Sequence, residues 1–348
     1  MTPASLVQTD PLALNCYVIS DGRRGIENQA LGLTEALACH IGETRNLNIL
    51  PYKIEDGAAF KAASPSLQFT MRSRPQDYGL PSDKSPHMAI GCGRQAIAPL
   101  LALKKTFPDV MTIYVQDPRI DPAKFDLVIA PEHDGLRGDN VEVMIGSPNR
   151  VTDGQIIGET LSFSDGLMTL PMPRAAMLIG GDSKTHKYTP EDLEVHIKAA
   201  KDLLAGGMSL LITTSRRTPD FALKAFEALD TAHDNIWLHS AEGPNPYFAF
   251  LGGAEIILVT QDSTNMLTEA CATGKPVFTL PMMGKAGVGK ANEGKSGKFQ
   301  QLYDRLTSRC GVVPYAGQLS GTDYEPLDET ARIALRVWER YRAFKSKL

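Results

Sequence analysis

Short apolar runs rich in β-branched residues alternate along the whole chain with longer stretches of helical spacing. Each run is too brief for a helix and is bounded by Gly, Pro, Asp, Asn or Ser, the signature of strands buried on both faces. In the first half, residues 14–20, 43–50, 88–92, 111–116 and 127–130 read as strands. Helices are expected at 27–40 and 95–105, with a short one near 58–63. In the second half, 175–179, 209–214, 255–260 and 277–280 read as strands, with helices from about 190 and at 245–253, 264–273, 298–310 and 328–345. Residues 51–86 and 140–172 carry little periodicity. Strand and helix in alternation predict an α/β fold of parallel sheets. A chain of 348 residues is long for one core. Two Rossmann-like domains are therefore expected, 1–150 and 151–327, facing a cleft, with the boundary in the Gly-, Pro- and Ser-rich stretch near 149–160.

Composition is that of an ordinary water-exposed protein, 43% hydrophobic and 22% charged. A net charge of -4 gives no footprint for nucleic acid. The first fifteen residues carry neither the basic flank nor the apolar stretch of a leader, and no run approaches the roughly 20 apolar residues that cross a bilayer. The expectation is a cytoplasmic protein, with peripheral contact to the inner membrane left open. Five cysteines, odd in number and widely spaced, read as reduced thiols rather than disulfides or a metal site.

The richest chemistry lies in residues 254–281, AEIILVTQDSTNMLTEACATGKPVFTLP. A strand meets Asp262, Ser263 and Thr264, each able to cap the helix that follows, and Gly274 and Pro276 close it before the next strand. The amides of Ser263 and Thr264 then lie at a helix N-terminus past the carboxyl edge of a strand, where phosphate binds. Glu269 sits one and a half turns further in, within reach of a ribose; the competing reading is an ordinary crossover helix. This segment resembles the donor-nucleotide segment of two-domain GT-B glycosyltransferases such as the lipid II and lipid A disaccharide synthases. Glu269, Gly274 and Pro276 match that pattern, and Ser263 stands where a glycine is common. The resemblance implies that Glu269 holds the ribose of the donor.

Two further strand ends in this half suit phosphate. Gly180-Gly181-Asp182-Ser183-Lys184 combines a flexible backbone with a hydroxyl and a cation, and Ser215-Arg216-Arg217 offers forked donors of permanent charge. The candidate nucleotide-binding set is Gly181, Ser183, Lys184, Ser215, Arg216, Asp262, Ser263, Thr264 and Glu269. Tyr247 and Phe248, in the short helix before it, are read as packing residues. Residues Gly289 to Ser296 fit the Walker A pattern, but no strand leads directly into them. They are expected to form a basic loop, with Lys285, Lys290, Lys295 and Lys298, over the cleft.

In the first half, Asp21-Gly22-Arg23-Arg24-Gly25 joins a strand to a helix whose first turn carries Glu27 and Asn28. The loop is not GxGxxG, so a nicotinamide cofactor is not expected. Later strands end in Gly93-Arg94, Asp117-Pro118-Arg119 and Glu132-His133-Asp134. Polar residues at strand ends share one edge of a parallel sheet. His133, Asp117 and Glu27 are the candidate catalytic groups, an imidazole and two carboxylates able to take a proton. Arg24, Asn28, Arg94 and Arg119 are the candidate substrate contacts. A hydrogen-bonded structural turn explains the same residues, and a metal is the weaker idea because three consecutive side chains cannot point one way. No metal and no cofactor is assigned.

DGRRGIENQALGL, GCGRQAIAPLLALKK, VQDPR, FDLVIAPEHD, TTSRRTPD and YEPLDETARIA together resemble the bacterial and plant family named for the plant mitochondrial-fission protein "elongated mitochondria". They run from Asp21 to Ala334, so a bacterial member is expected. The resemblance implies a GT-B-like fold, whose last helix, here 328–348 with Ile333, Leu335, Val337 and Trp338 as its apolar face, returns to the first domain. The resemblance does not fix the reaction, and the leading reading is a metal-independent, glycosyltransferase-like protein. The second domain would bind a nucleoside diphosphate sugar, and a lipid or polyphosphate-bearing acceptor would sit on the first. A sugar-nucleotide epimerase of the same fold and a non-catalytic membrane-associated adaptor are the alternatives.

Overall fold

The computed structural model describes residues 13–42, 44–183, 186–239, 243–282 and 293–348, the side chains of 293–296 excepted. Its strands pair into two parallel sheets of six. The chain divides into two compact units, Met1–Arg150 with Asp328–Leu348, and Val151–Leu327.

The first unit runs β1 (Leu14–Ser20), α1 (Arg24–Ile41), β2 (Leu47–Lys53), α2 (Ala58–Ala62), α3 (Pro65–Met71), β3 (Met88–Cys92), α4 (Ile97–Thr106), β4 (Met111–Val115), β5 (Leu127–Pro131) and β6 (Val141–Met144). Its strand order is β2-β1-β3-β4-β5-β6. Central strands are buried along their length, as parallel strands covered on both faces must be. The strand expected at 43–50 lies at 47–53 instead. Pro51 is accommodated because β2 is an edge strand, where one side of the ladder needs no donor. Gly32, midway along α1, has a packing reason: a Cβ there would lie 2.2 Å from the carbonyl oxygen of Asn149.

The second unit runs α5 (Asp153–Ser162), α6 (Ser164–Met168), β7 (Arg174–Ile179), α7 (Pro190–Ala205), β8 (Ser209–Thr214), α8 (Asp220–Thr231), β9 (Ile236–His239), α9 (Tyr247–Gly253), β10 (Ile256–Thr260), α10 (Thr264–Cys271), β11 (Val277–Leu280), α11 (Glu293–Cys310) and β12 (Val313–Pro314). Its order is β12-β11-β10-β7-β8-β9. The stretch 140–172, which showed little periodicity, holds β6, α5 and α6. β6 is a four-residue edge strand and α5 buries none of its residues fully, so neither needs an apolar stripe.

The last helix, α12 (Glu329–Lys345), belongs to the first unit. Ile333, Ala334, Val337 and Tyr341 join Leu33, Leu37 and Ile41 of α1 in one core. The buried stripe therefore differs from the expected one: Leu335 is exposed and Trp338 only packs against the core from its margin. The start of α12 is fixed by Glu329, which accepts from the Ile145 amide (2.7 Å), and by Thr330, which accepts from the Asn149 amide (3.1 Å). Cys16, Cys92, Cys271 and Cys310 are buried free thiols and Cys39 is an exposed one. Among the described residues, no helix is long and apolar enough to cross a membrane.

Candidate functional site

Each sheet has one switch point, where the chain starts at a central strand and successive strands are laid first to one side and then to the other. Ligands of open α/β sheets collect at the carboxyl ends there. In the second unit the switch falls between β7 and β10, with β8 beside β7. The loops after β10, β7 and β8 are thus neighbours, spread over about 10 Å at roughly 4.8 Å per strand. They bring together the Asp262–Thr264, Gly181–Ser183 and Ser215–Arg217 groups.

Asp262 is the hub of this edge. Its side chain is 0% exposed; Oδ1 accepts from Thr260 Oγ1 (2.7 Å), and Oδ2 accepts from the Gly181 amide (3.1 Å) and from the Arg217 guanidinium (2.7 Å). Arg217 also donates to the carbonyls of Gly181 (3.3 Å) and Asp182 (2.9 Å). One ion pair, with its carboxylate fully buried and its arginine partly exposed, therefore laces the three loops together. Asp262 orders the edge from beneath rather than facing a ligand. The glycines serve the same packing: a Cβ on Gly180 would lie 2.0 Å from Oδ1 of Asp262, and one on Gly181 would lie 2.0 Å from the carbonyl oxygen of Arg217.

Above this base are the groups that face outward. Ser263 caps α10, its hydroxyl accepting from the Met266 amide (3.3 Å), so the N-terminal turn of α10 opens at the sheet edge. Thr264 follows, half-buried. Ser215 closes its own turn, accepting from the Arg217 amide (3.1 Å). Ser183 accepts from the His186 amide (3.0 Å), and Lys184 lies outside the described residues. Arg216 is exposed and has no hydrogen-bond or ion-pair partner among the described residues. Of the two arginines, then, Arg217 is structural and Arg216 keeps a free charge. The first half of the Walker-like stretch, 289–292, also lies outside the described residues; its second half, 293–296, falls in the first turn of α11.

Glu269 is buried in α10, with only 9% of its surface exposed. Its Oε2 accepts from the hydroxyl of Tyr247 (2.5 Å), the first residue of α9. Burial pushes its pKa up to about 7, and the Tyr247 bond pulls the other way. Burial likewise raises the Tyr247 hydroxyl well above its ordinary value, with the neighbouring carboxylate adding to the effect. At the far end of α9, Lys275 donates to the carbonyls of Leu251 (2.7 Å), Gly252 (2.6 Å) and Ala254 (2.6 Å). These include orphan acceptors of a helix C-terminus, and an ammonium there also meets the negative end of the helix dipole. Burial lowers the Lys275 pKa to about 8.

The first unit's switch point lies between β1 and β3. Gln29 ties it together: its Oε1 accepts from Gln116 Nε2 (3.1 Å) and Cys92 Sγ (3.5 Å), and its Nε2 donates to the Gly25 carbonyl (3.0 Å). Gln116 and Arg119 hold positive φ of 94° and 56°, unusual for residues with a Cβ. Asp117 accounts for the second, accepting from the Arg119 amide (2.9 Å) and pairing with its Nε (2.9 Å). Asp21 pairs with Arg23 (2.7 Å). Arg94 donates to the carbonyls of Ala62 (3.2 Å) and Ala63 (2.6 Å) and so caps α2. The side chains of Arg24, Glu27 and Asn28 have no hydrogen-bond or ion-pair partner among the described residues. His133 sits in the single 3-10 turn Glu132–Asp134 after β5, next to the loop after β4 that carries Asp117. Glu27 follows β1, two strands away from β4, about 10 Å along the edge.

Sequence reasoning missed Thr260, Arg217, Tyr247 and Gln29. Arg217 and Thr260 stood inside motifs already singled out, but only the fold says which of two arginines turns inward. Nothing local marks Tyr247 as the partner of a residue 22 positions later.

A family model described as Mitochondrial fission ELM1 matches residues 24–341. The Mitochondrial fission protein ELM1 of Arabidopsis thaliana is 25% identical over 279 residues, 72% of this chain and 63% of that protein. The chain thus spans slightly under two thirds of that relative's length. An uncharacterized protein of Rickettsia prowazekii (strain Madrid E) is 26% identical over 306 residues, covering 76% of this chain and 82% of the relative. Among solved structures, the UDP-GlcNAc 2-epimerase of Methanocaldococcus jannaschii is similar over 94% of this chain and 99% of its own, with TM-score 0.50 and 12% identity. S. aureus MnaA in a co-structure with UDP is similar over 95% and 97%, with TM-score 0.51 and 14% identity. At these identities the likeness concerns the fold, a GT-B-like pair of Rossmann-like units.

Proposed function

The chain belongs to the mitochondrial fission ELM1 family, and from that premise we propose that it is a metal-independent, glycosyltransferase-like protein whose second unit binds a nucleoside diphosphate sugar. The observation that carries the reading is Glu269, a buried carboxylate kept one and a half turns inside a helix whose N-terminus opens at the switch point. Burying a carboxylate opposes folding unless a partner compensates, so its retention there fits a ligand-binding role better than a packing role. In this reading the amides of Ser263 and Thr264 and the free guanidinium of Arg216 neutralise the diphosphate, and Glu269 accepts from the ribose hydroxyls. Gly181, Ser183 and Ser215 shape the loops around the phosphates, and Lys184 would add charge. Positive charge then comes from the protein, and a chelator should leave affinity unchanged.

The acceptor side we assign to the first unit. Arg24, Asn28 and Arg119 would hold an anionic acceptor, a lipid-linked or polyphosphate-bearing one among the candidates, with Arg94 bracing α2 nearby. His133, Asp117 or Glu27 would take the proton of the acceptor hydroxyl as its oxygen bonds to the sugar's anomeric carbon. The bond from that carbon to the diphosphate breaks in the same step, and the nucleoside diphosphate leaves. Adjacent strand ends favour the pair Asp117 and His133 over Glu27.

A calorimetric panel of UDP, GDP, ADP and dTDP tests the reading, with Arg216→Ala beside wild type. One ribonucleotide should bind, and the variant should lose about ten- to a hundredfold in affinity, the value of a charge-assisted hydrogen bond. If none binds, the reading fails and the adaptor alternative takes its place. Turnover of UDP-N-acetylglucosamine to an epimer without any acceptor would replace transfer by epimerisation.

A further inference from the structure

Tyr247 occupies a position that a packing role does not explain. Its hydroxyl reaches 2.5 Å from Oε2 of Glu269, and its backbone is held at the start of α9 by the Asn245 side chain, which accepts from the Tyr247 amide (3.1 Å). The other end of the same short helix is clamped by Lys275, which follows α10 in the chain. α9 is thus tied to the α10 segment at both ends, and its register against Glu269 is fixed. The ring also packs edge-on against Phe248, with centroids 5.5 Å apart.

The surroundings of Glu269 give this contact its meaning. Tyr247 is the one hydrogen-bond donor to the carboxylate among the described residues. The other charges of the same segment are committed elsewhere: Lys275 to three carbonyls, Asp262 to Arg217, Gly181 and Thr260, and Glu255 to the Arg174 amide (2.5 Å). A carboxylate offers about four acceptor positions, and Tyr247 takes one of them. Two neighbouring hydroxyls of a ribose can use the rest, provided the group is ionised and held in one orientation.

We propose that Tyr247 is the positioning residue of the ribose subsite: by donating to Oε2 it orients Glu269 and favours its ionised form, which makes capture of a ribonucleoside diphosphate depend on the protonation of this one carboxyl. The proposal rests on the reading of Glu269 as the ribose contact. Its first test needs no nucleotide and so separates the two.

Glutamate carboxyl carbons are labelled with carbon-13, and Glu269 is titrated by NMR in wild type and in Tyr247→Phe, which keeps the ring and its packing. The wild-type midpoint near pH 7 should rise by at least about one pH unit in the variant, because a donor to the charged form is lost. An unchanged midpoint overturns the proposal whether or not nucleotides bind. UDP titrations at two pH values then read the consequence. Tyr247→Phe should bind about tenfold more weakly than wild type at pH 7 and recover to within about threefold at pH 9, once Glu269 is again ionised. A loss of equal size at both pH values would mean that the tyrosine only packs, and would also overturn it. Glu269→Gln, which keeps an acceptor for Tyr247, checks the same point without touching the tyrosine: beyond what the titration of UDP's own terminal phosphate near pH 6 accounts for, its UDP affinity should no longer vary between pH 6 and pH 9. Persisting variation would contradict the assignment.

Discussion

After β1 and β4 the first unit pairs Asp21 with Arg23 and Asp117 with Arg119, in each case with the arginine side chain at least 65% exposed and the carboxylate largely covered. After β7 and β10 the second unit buries Asp262 completely beneath Arg217, buries Glu269 against Tyr247, and sinks Lys275 into the end of α9. Both edges are built on the same topological idea, a switch point in a six-stranded parallel sheet. Their electrostatics differ. A solvated ion pair adds little to stability and is easily exchanged in evolution, whereas a buried charge weakens the fold unless every bond to it is made. The second edge is therefore a preorganised set of charges and the first a wetter one, which suits the nucleotide proposed for the former and the variable partner proposed for the latter.

The largest expected difference between the edges comes from cutting each at its aspartate. Asp262→Ala removes the acceptor that holds three loops and should lower unfolding stability by about 3 to 5 kcal/mol in urea denaturation. Asp117→Ala should change it by no more than about 1 kcal/mol. Similar losses at both sites would erase the distinction. Next in size, Lys275→Met leaves the α9 carbonyls without donors and should lower stability by about 3 kcal/mol. The lysine's folded midpoint, about 8, lies below its ordinary 10.5, so wild-type stability should rise with pH through that window and the variant should lack the rise. A flat wild-type profile there would argue against a buried ammonium.

Glu269→Gln is expected to act in the opposite direction. The folded midpoint of Glu269, about 7, lies above the ordinary 4.5, so the folded protein holds this proton longer than the unfolded chain. Wild-type stability therefore falls as pH rises from about 4.5 to 7. The variant should be more stable by about 3 kcal/mol at pH 8, with the gap closing near pH 4.5. A smaller effect belongs to the first edge: His133→Ala should leave both stability and nucleotide affinity near wild type while lowering any turnover.

What the sequence made legible follows the same division. Buried central strands such as 88–92, 209–214 and 277–280 were placed to the residue, because burial on both faces leaves an unbroken apolar run. Elements that bury little left no such mark: α5, β6 and the proline-bearing edge strand β2 were missed or displaced. Strand ends with polar residues were recognisable as a class, since the switch-point rule needs only order and polarity. Their division of labour was not. Asp262 and Glu269 are two acids in one short segment, and only the tertiary partners, Arg217 for one and Tyr247 for the other, separate the residue that builds the edge from the one proposed to meet a ligand.

Because the account holds that Glu269 is kept for binding at the expense of stability, the most direct measurement takes both quantities on one variant. Wild type and Glu269→Gln are compared at pH 8 by thermal unfolding and by calorimetric titration with the ribonucleoside diphosphate that wild type prefers. The variant should melt higher and bind about ten- to a hundredfold more weakly. A variant that melts no higher, or that binds as well as wild type, would contradict it.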